Sequence, residues 1–369
     1  MQFYINAFLS KGIILNKTMR VFFTAIWLLF TLNRVSARSS CPDRKYIYPC
    51  TCVNVGQGKR NWTIVICARL RDTDSLNDIL DSLKGLNMDK FLLYDSFWDA
   101  HERGDEEKQK LPNNWLTNLR AKEMEIVDTK LSSCFACEST FSCRNSVTTR
   151  FSVVNGTSAS EICTLCDSGR GDKYPWTNCM SKLEQFDFTY GKLSTLKEAF
   201  FPKPMLALRV LNLTYNQIRL IERRALSKLP KLEFLDLSHN FIQHISQMFE
   251  TDVGTLKFID LSWNFIKEIG PTFSQRVPKL VHLNLDNNYF EYLVTKDWEK
   301  APSTIRRIYI RDNPIICNCS LRFINETFTS KVKFMGNCKN AHDKLLVNLR
   351  QKSKYFAEKC NDKNELIKV

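Results

Sequence analysis

Histidine and cysteine are the residues of this chain whose types and spacing could support chemistry. The five histidines are scattered, and none forms a metal-binding spacing such as His-Glu-x-x-His. The sequence also contains no nucleophile elbow and no glycine-rich phosphate loop. By contrast, Cys134 and Cys137, and again Cys163 and Cys166, have the Cys-x-x-Cys spacing of zinc ligands. The lack of catalytic motifs leads us to expect no enzyme and no cofactor. The two Cys-x-x-Cys pairs leave two alternatives open, zinc binding or disulfides.

The first 37 residues help to choose between zinc and disulfides. Residues 21–32 (VFFTAIWLLFTL) form an apolar run after Lys17 and Arg20, and the small residues 35–37 follow. This order is typical of a secretory signal peptide cleaved after Ala37. A membrane anchor is the alternative, but the run is shorter than the roughly 20 residues that span a bilayer, and no later stretch could span one. We expect a secreted protein of the extracellular space or matrix, where bridged thiols are favoured over zinc.

The fourteen cysteines divide the chain into regions. All of them follow residue 37, and an even number in a secreted chain predicts disulfides. They form a first group of four, a middle group of six and a last group of four: Cys41, Cys50, Cys52 and Cys67; Cys134, Cys137, Cys143, Cys163, Cys166 and Cys179; Cys317, Cys319, Cys338 and Cys360. The connectivity of the middle six stays open, because many pairings are possible.

The chain is strongly basic. Its formal net charge is +14, and removing residues 1–37 takes away four basic and no acidic residues, which leaves +10. Secretion argues against nucleic acid as the partner, so acidic glycans or acidic protein surfaces are candidates. Much of the excess charge lies late in the chain, from Arg306 to Lys359, and a solvated surface without a dedicated ligand is the simpler reading.

A repeat of about 24 residues runs through the second half of the chain and should position its side chains. The skeleton Leu-x-x-Leu-x-Leu-x-x-Asn appears as LRVLNLTYN from Leu208, LEFLDLSHN from Leu232, LKFIDLSWN from Leu256 and LVHLNLDNN from Leu280. It is degenerate from Ile305, and LEQFDFTYG from Leu183 carries glycine in place of asparagine. This period and skeleton indicate a leucine-rich repeat. We expect an α/β solenoid with a curved parallel β-sheet, an irregular or short-helical convex side and disulfide caps at both ends.

One asparagine falls at the same place in each regular repeat, where a buried amide would bond the backbone of neighbouring turns. These residues are Asn216, Asn240, Asn264, Asn288 and Asn313. The repeats are eroded before Leu183, where weaker matches include Phe91 and Leu93, Met124 and Ile126, and Phe151 and Val153. A charged segment from His101 separates the first two and should be a solvated loop. The expected organisation is a signal peptide (1–37), an N-terminal cysteine cap (38–75), degenerate repeats with a six-cysteine insertion (76–182), regular repeats (183–313) and a C-terminal cysteine cap and tail (314–369).

The first and last cysteine groups carry a family resemblance. The segment CPDRKYIYPCTC followed by TIVIC, and NPIICNCSLRFI followed by Cys338 and Cys360, resemble the N- and C-terminal caps of secreted extracellular leucine-rich-repeat proteins. That resemblance implies the pairs Cys41–Cys52, Cys50–Cys67, Cys317–Cys338 and Cys319–Cys360. The plan is also similar to arthropod proteins named after the non-catalytic subunit of a luciferin 2-monooxygenase.

The outward positions of the strands should form one surface, and curvature would make it concave. Aromatic residues dominate the middle of two columns on it, and rigid rings are typical of protein-binding hot spots. The candidates for contact with an extracellular protein are Tyr190, Tyr215, Phe234, His239, Phe258, Trp263 and His282. For the neighbouring Asp236, Ser238, Asp260 and Ser262 we favour an ordinary repeat role.

Two kinds of short motif could modify or extend this surface. Asn-x-Ser/Thr sequons predict glycosylation at Asn61, Asn155, Asn212 and Asn325. The integrin-type tripeptide occurs twice, at Arg103, Gly104 and Asp105 and at Arg170, Gly171 and Asp172.

Three functions remain open at this point. The first is a secreted, non-enzymatic binding protein that recognises another protein through its concave face. The second is a matrix adhesion component that binds sulfated glycans or integrins. The third is a non-catalytic subunit of a secreted enzyme complex.

Overall fold

The solenoid is seen in a computed structural model. The structure describes residues 41–57, 60–112, 115–132, 138–139, 146–156, 173–174, 180–201, 203–245, 248–249, 253–270, 272–298, 301–328, 332–339 and 349–360. The expected signal peptide, the six middle cysteines and the second Arg-Gly-Asp motif lie outside these residues.

Within the described residues, twelve strands form one sheet. In spatial order these strands are β1 (Thr51–Gln57), β2 (Arg60–Ala68), β3 (Asn87–Tyr94), β4 (Arg120–Val127), β6 (Arg150–Val154), β8 (Gln185–Thr189), β10 (Val210–Asn212), β12 (Phe234–Asp236), β13 (Phe258–Asp260), β14 (His282–Asn284), β15 (Arg307–Tyr309) and β16 (Lys333–Met335). Strands β1 and β2 pair antiparallel, and every later neighbour pairs parallel. The sheet therefore begins with a hairpin and continues as a solenoid.

Short elements cover the other side of the core. The helices are α1 (Arg44–Ile47), α2 (Thr73–Ser82), α3 (Trp98–Glu102), α4 (Trp115–Asn118), α5 (Phe273–Arg276), α6 (Phe323–Thr327) and α7 (Leu349–Lys359). The 3-10 helices are Glu106–Gln109, Glu198–Phe200, Thr295–Asp297 and Cys319–Arg322. Two small sheets pair β5 (Glu138–Ser139) with β7 (Lys173–Tyr174), and β9 (Thr195–Leu196) with β11 (Leu220–Ile221). This is the short-helical and irregular side expected of the repeat.

The strands place their apolar residues in register. Leu211, Leu235 and Ile259 pair with one another across β10, β12 and β13, and all three are buried. The eroded repeats do the same, because Phe91 pairs with Met124 and both are buried. Stacked strands thus share one continuous core, and each repeat covers the apolar edge of the one before it.

The asparagine that recurs in the repeats from Leu208 onward has a buried amide that bonds two neighbouring repeats together. The Asn240 Nδ2 donates to the backbone oxygens of Leu213 (2.9 Å), Leu237 (3.0 Å) and Ser238 (3.1 Å). Its Oδ1 accepts from the backbone N–H of Ile218 at 3.0 Å. The same pattern recurs at Asn264, Asn288 and Asn313. This asparagine ladder satisfies backbone groups that burial would otherwise leave unpaired.

The ladder weakens toward the N-terminus, where other residues occupy its position. Ser96 and Thr129 are fully buried, and the Ser96 hydroxyl accepts from the backbone N–H of Leu70 at 3.1 Å. At Gly191, a Cβ would lie 2.7 Å from the Phe188 ring and 2.7 Å from the Asn216 Oδ1. The larger Phe188 fills the space that asparagine uses elsewhere, which explains the glycine noted in the sequence.

Disulfides close both ends of the solenoid. The pairs are Cys41–Cys52, Cys50–Cys67, Cys317–Cys338 and Cys319–Cys360, the same four that the resemblance implied. They lie at the terminal strands, which is consistent with caps that shield the last apolar edges from water.

The charged segment from His101 is mostly exposed, as expected, but the expectation of a loop was wrong. The segment contains the end of α3 and the 3-10 helix Glu106–Gln109, and Gln109 is buried. The Gln109 backbone oxygen accepts from the Ser132 N–H at 2.8 Å, which ties the segment to the next repeat. The charges mark the exposed side of a packed element.

The ladder predicts a local loss of stability when one amide is removed. We expect Asn240→Ala to lower the free energy of unfolding by about 2–4 kcal/mol, because buried backbone groups lose their partners. Hydrogen exchange should accelerate at the Ile218 N–H in particular. The control Gln243→Ala, on an exposed side chain, should leave the urea midpoint unchanged, and an equal shift in both variants would contradict the ladder's role.

The packing at Gly191 predicts a rescue. We expect Gly191→Asn alone to destabilise the protein by about 1–3 kcal/mol through overpacking, although asparagine is the ladder residue. Adding Phe188→Leu frees the space and should restore most of that loss. A double-mutant cycle by urea unfolding measures the coupling, and additive effects would show that the two positions do not compete for space.

Candidate functional site

One residue in every repeat turns the backbone into the left-handed region, immediately before the ladder position. Their φ angles run from 47° at Asp95 to 56° at Trp263. This turn column contains Arg69, Asp95, Asp128, Asn155, Tyr190, Tyr215, His239, Trp263, Asn287 and Asp312. Asparagine and aspartate tolerate this conformation, whereas other residues with a Cβ are strained by about 1–2 kcal/mol each. The aromatic members therefore occupy positions that backbone preference alone would not give them.

Four of those members stack on one another. Tyr190 and Tyr215 have ring centroids 4.4 Å apart, Tyr215 and His239 4.0 Å, and His239 and Trp263 5.3 Å. The interplanar angles are 7°, 9° and 11°, so the rings are close to parallel. We call Tyr190, Tyr215, His239 and Trp263 the ring stack. Because neighbouring rings cover the inner faces, a partner would meet the exposed edges of these rings.

A second aromatic column lies beside the ring stack, one residue after each ladder asparagine. Its members are Phe241, Phe265 and Tyr289, which we call the edge column. Phe241 and Phe265 have ring centroids 5.8 Å apart, and Phe265 and Tyr289 5.4 Å. All three side chains are exposed, from 38% at Phe241 to 51% at Tyr289. The sequence analysis missed this column, although its period of 24 residues could have revealed it.

The ring stack and the edge column line one groove of about 1630 Å³. The groove runs from the strands of the eroded repeats to Pro314. Three predicted contact residues lie elsewhere: Phe234, Phe258 and His282 are on the outward face of their strands, with centroid distances of 6.1 and 5.9 Å. The seven sequence candidates thus fall into two groups, and only the ring stack lines the groove.

The polar residues beside the strand aromatics shape the turns. The Asp236 Oδ1 accepts from the Ser238 N–H at 3.0 Å, and the Asp260 Oδ1 accepts from the Ser262 N–H at 2.9 Å. Burial raises the pKa of the Asp236 carboxyl. These contacts agree with the ordinary repeat role expected of the four residues.

Burial lowers the pKa of both histidines near this surface. For His239 the cause is its enclosure, opposed by the nearby Asp260 carboxylate. For His282 burial acts together with the neighbouring Arg307 guanidinium. The neutral imidazole is the favoured form of each.

The other predicted site residues are dispersed. Asn61, Asn155 and Asn325 are exposed, whereas Asn212 is half-buried and its Oδ1 accepts from the Thr214 N–H at 3.1 Å. In the first Arg-Gly-Asp motif Arg103 and Gly104 are exposed, but the Asp105 carboxylate caps the following 3-10 helix at the Lys108 N–H. Glycosylation and integrin binding stay predictions.

Several late basic side chains serve the structure. Arg311 bonds the Asp286 carboxylate through Nε at 2.8 Å. The Arg350 guanidinium donates to the backbone oxygens of Phe328 (2.8 Å) and Val332 (3.1 Å) inside the C-terminal region. These guanidinium groups are committed to the fold, which weakens the argument for a glycan site built from them.

Metal sites and membrane spans are two further possibilities for the described part of the chain. There, the structure brings together no group of three His, Cys, Asp or Glu side chains suited to a metal ion. No helix among the same residues is long and apolar enough to cross a membrane.

Comparisons with known proteins agree with this architecture. A family model described as leucine rich repeat matches residues 181–242 and 235–290. A search of curated proteins found no match. The fold and the matched repeats are those of a leucine-rich-repeat protein.

Solved structures to which this chain is similar include the Toll–Spatzle complex, a TLR13 complex and an internalin. Toll in the Drosophila Toll–Spatzle complex is 14% identical, with a TM-score of 0.52 over 77% of this chain and 35% of that one. TLR13 in complex with ssRNA13 is 17% identical, with a TM-score of 0.49 over 73% and 36%. An internalin (inlF) from Listeria monocytogenes is 13% identical, with a TM-score of 0.44 over 74% of each chain. This chain therefore spans about a third of the length of the matched chains in the Toll and TLR13 complexes.

The stacked histidine gives a pH prediction. We expect NMR titration to place the pKa of His239 below the ordinary 6.5. Because the folded state then favours the neutral ring, its contribution to stability is full above pH 6.5 and is lost as the pH falls through 6.5 toward the lowered value. The variant Trp263→Asn uncovers one face of the imidazole and should return its pKa toward 6.5.

The matching stability measurement compares the parent protein with His239→Asn between pH 7.5 and 5.5. Asparagine fits the left-handed turn, so the variant should lose this part of the pH dependence only. A pKa above 6.5 would mean that attraction between imidazolium and the flanking rings outweighs burial.

Proposed function

We propose that this protein is an extracellular, non-enzymatic binding protein that recognises another protein through the aromatic groove. The observation that carries the proposal is the pair of adjacent aromatic columns, the ring stack and the edge column, along one open groove. Exposed rings in fixed positions bury a large area at small entropic cost, and they are the residues enriched in protein-binding hot spots.

The size of the groove favours a macromolecular partner. Its volume of about 1630 Å³ exceeds the roughly 300–1,000 Å³ of clefts that enclose small ligands. The rings are stacked before any partner binds, so little side-chain freedom is lost on association. A groove of this length and rigidity suits an extended segment or the edge of another protein.

The extracellular part of the proposal rests on the disulfides. Four of them close the two ends of the solenoid, and such bonds persist in oxidising compartments. The Toll–Spatzle complex offers an analogy for the function, since there a protein of this fold is solved with a protein partner.

A capture experiment tests the groove. The purified protein is crosslinked to partners in extracellular fluid, and compared with the double variant Trp263→Asn/Phe265→Ser. Asparagine keeps the left-handed turn at residue 263, so we expect folding to survive while the captured partners fall at least about tenfold, as for loss of a hot spot.

The matched control is Leu206→Ser, because that side chain is 61% exposed and does not line the groove. It should capture the same partners as the parent protein. If the folded groove variant also retains every partner, recognition through the groove is wrong.

A further inference from the structure

The charges that line the groove have the opposite sign to the chain as a whole. Among the described residues that line the groove, the charged ones are Glu125, Asp128 and Asp312. No lysine or arginine is among these described lining residues. The whole chain carries a formal net charge of +14. An acidic groove on a basic protein directs cationic groups to the groove, because the rest of the surface repels them.

The three carboxylates differ in their surroundings. Glu125 is neutralised by Lys90 at 2.7 Å. Asp128 accepts a hydrogen bond from the Asn155 amide at 2.7 Å, which leaves its charge in place. Asp312 is exposed, and its neighbour Arg311 is bound to Asp286. Arg311 also interacts with Asp312, but less than with Asp286. Asp128 and Asp312 therefore keep more of their charge than Glu125 does.

These two carboxylates lie at opposite ends of the ring stack. After Trp263 the turn column continues with Asn287 and then Asp312, and beyond Tyr190 it continues with Asn155 and then Asp128. Each end of the stack is thus followed along the column by an amide and then by a carboxylate. Trp263 is the most exposed ring of the stack, at 54%, and tryptophan is the best aromatic acceptor for a cation.

The surface already holds one guanidinium on an aromatic ring. Arg219 lies 5.8 Å from the centroid of Phe241 in the edge column. Planar guanidinium groups stack on rings and pair with carboxylates at the same time, which is the combination available at both ends of the stack.

We propose that the partner segment held by the aromatic groove is basic, with arginine or lysine side chains that lie against the exposed rings of Trp263 and Tyr190 and pair with Asp312 and Asp128. This inference rests on the proposed function and names the chemistry of the partner. It reverses the expectation from net charge, because acidic polymers such as sulfated glycans would meet carboxylates in the groove.

The test uses defined probes on the full-length protein. Fluorescent octa-arginine, octa-glutamate and a neutral Gly/Ser octamer are titrated by anisotropy at low and physiological salt, together with a heparin oligosaccharide. We expect octa-arginine to bind in the groove, with affinity falling as salt screens the contact. The acidic and neutral peptides should not bind in the groove, so Trp263→Asn should leave any binding of theirs elsewhere on the basic surface unchanged.

The decisive variant is Asp128→Asn/Asp312→Asn. Asparagine keeps the left-handed turns, so only two charges are lost, and octa-arginine affinity should fall about three- to tenfold. The control Asp78→Asn/Glu106→Gln removes two exposed carboxylates outside the groove and should leave the affinity unchanged.

Three results would overturn the inference: no binding of octa-arginine, equal binding to the Asp128→Asn/Asp312→Asn variant, or groove binding of heparin or octa-glutamate that Trp263→Asn abolishes. If any of these occurs while Trp263→Asn/Phe265→Ser still loses its captured partners, the groove binds protein but not through basic side chains. If both experiments fail, the groove is not the binding surface.

Discussion

The asparagine ladder is the interaction on which the rest of this structure depends. Each amide satisfies backbone groups of its own turn and of the preceding repeat, at distances that stay near 3 Å from Asn240 to Asn313. A tight turn made of buried backbone would be costly without these bonds. The residue before each ladder asparagine lies in the left-handed conformation, and so do the residues before Ser96, Thr129, Gly156 and Gly191, where the asparagine is replaced. The left-handed turn is therefore a property of every repeat, and the ladder stabilises that turn where the asparagine is present.

That turn explains how a functional surface can be built beside a purely structural one. The turn column points outward at a constant interval, so rings placed there stack, as in Tyr190 to Trp263. Left-handed backbone disfavours these side chains, and Asp128, Asn155, Asn287 and Asp312 show what the position accepts without strain. Strained positions persist where the surrounding structure over-determines them, and they cluster at functional sites. The ring stack thus consists of residues that the left-handed backbone disfavours, where asparagine or aspartate would be less strained.

Much of the fold could be predicted because residues at equivalent positions of successive repeats contact one another. Leu211, Leu235 and Ile259 had to share one buried register once the period was recognised, and the buried amides followed from the same count. The site was predicted only in part. The ring stack was among the candidates, and Phe234, Phe258 and His282 were expected in a second column of the same surface. Outward spacing identifies both columns, but it cannot tell which of them lines a groove. Phe241, Phe265 and Tyr289 were missed because they follow the skeleton instead of lying inside it.

The sequence by itself determined the solenoid, the ladder and the cysteines at its ends, since these depend on residue type at a fixed period. Only the tertiary structure decided which outward residues meet, because backbone conformation sets the direction of each side chain. It showed that the charged segment from His101 packs as short helices, and that Gly191 makes room for Phe188. It also separated the charge of the groove from the charge of the chain: composition sums over all residues, whereas a partner meets only those that the fold brings to one surface.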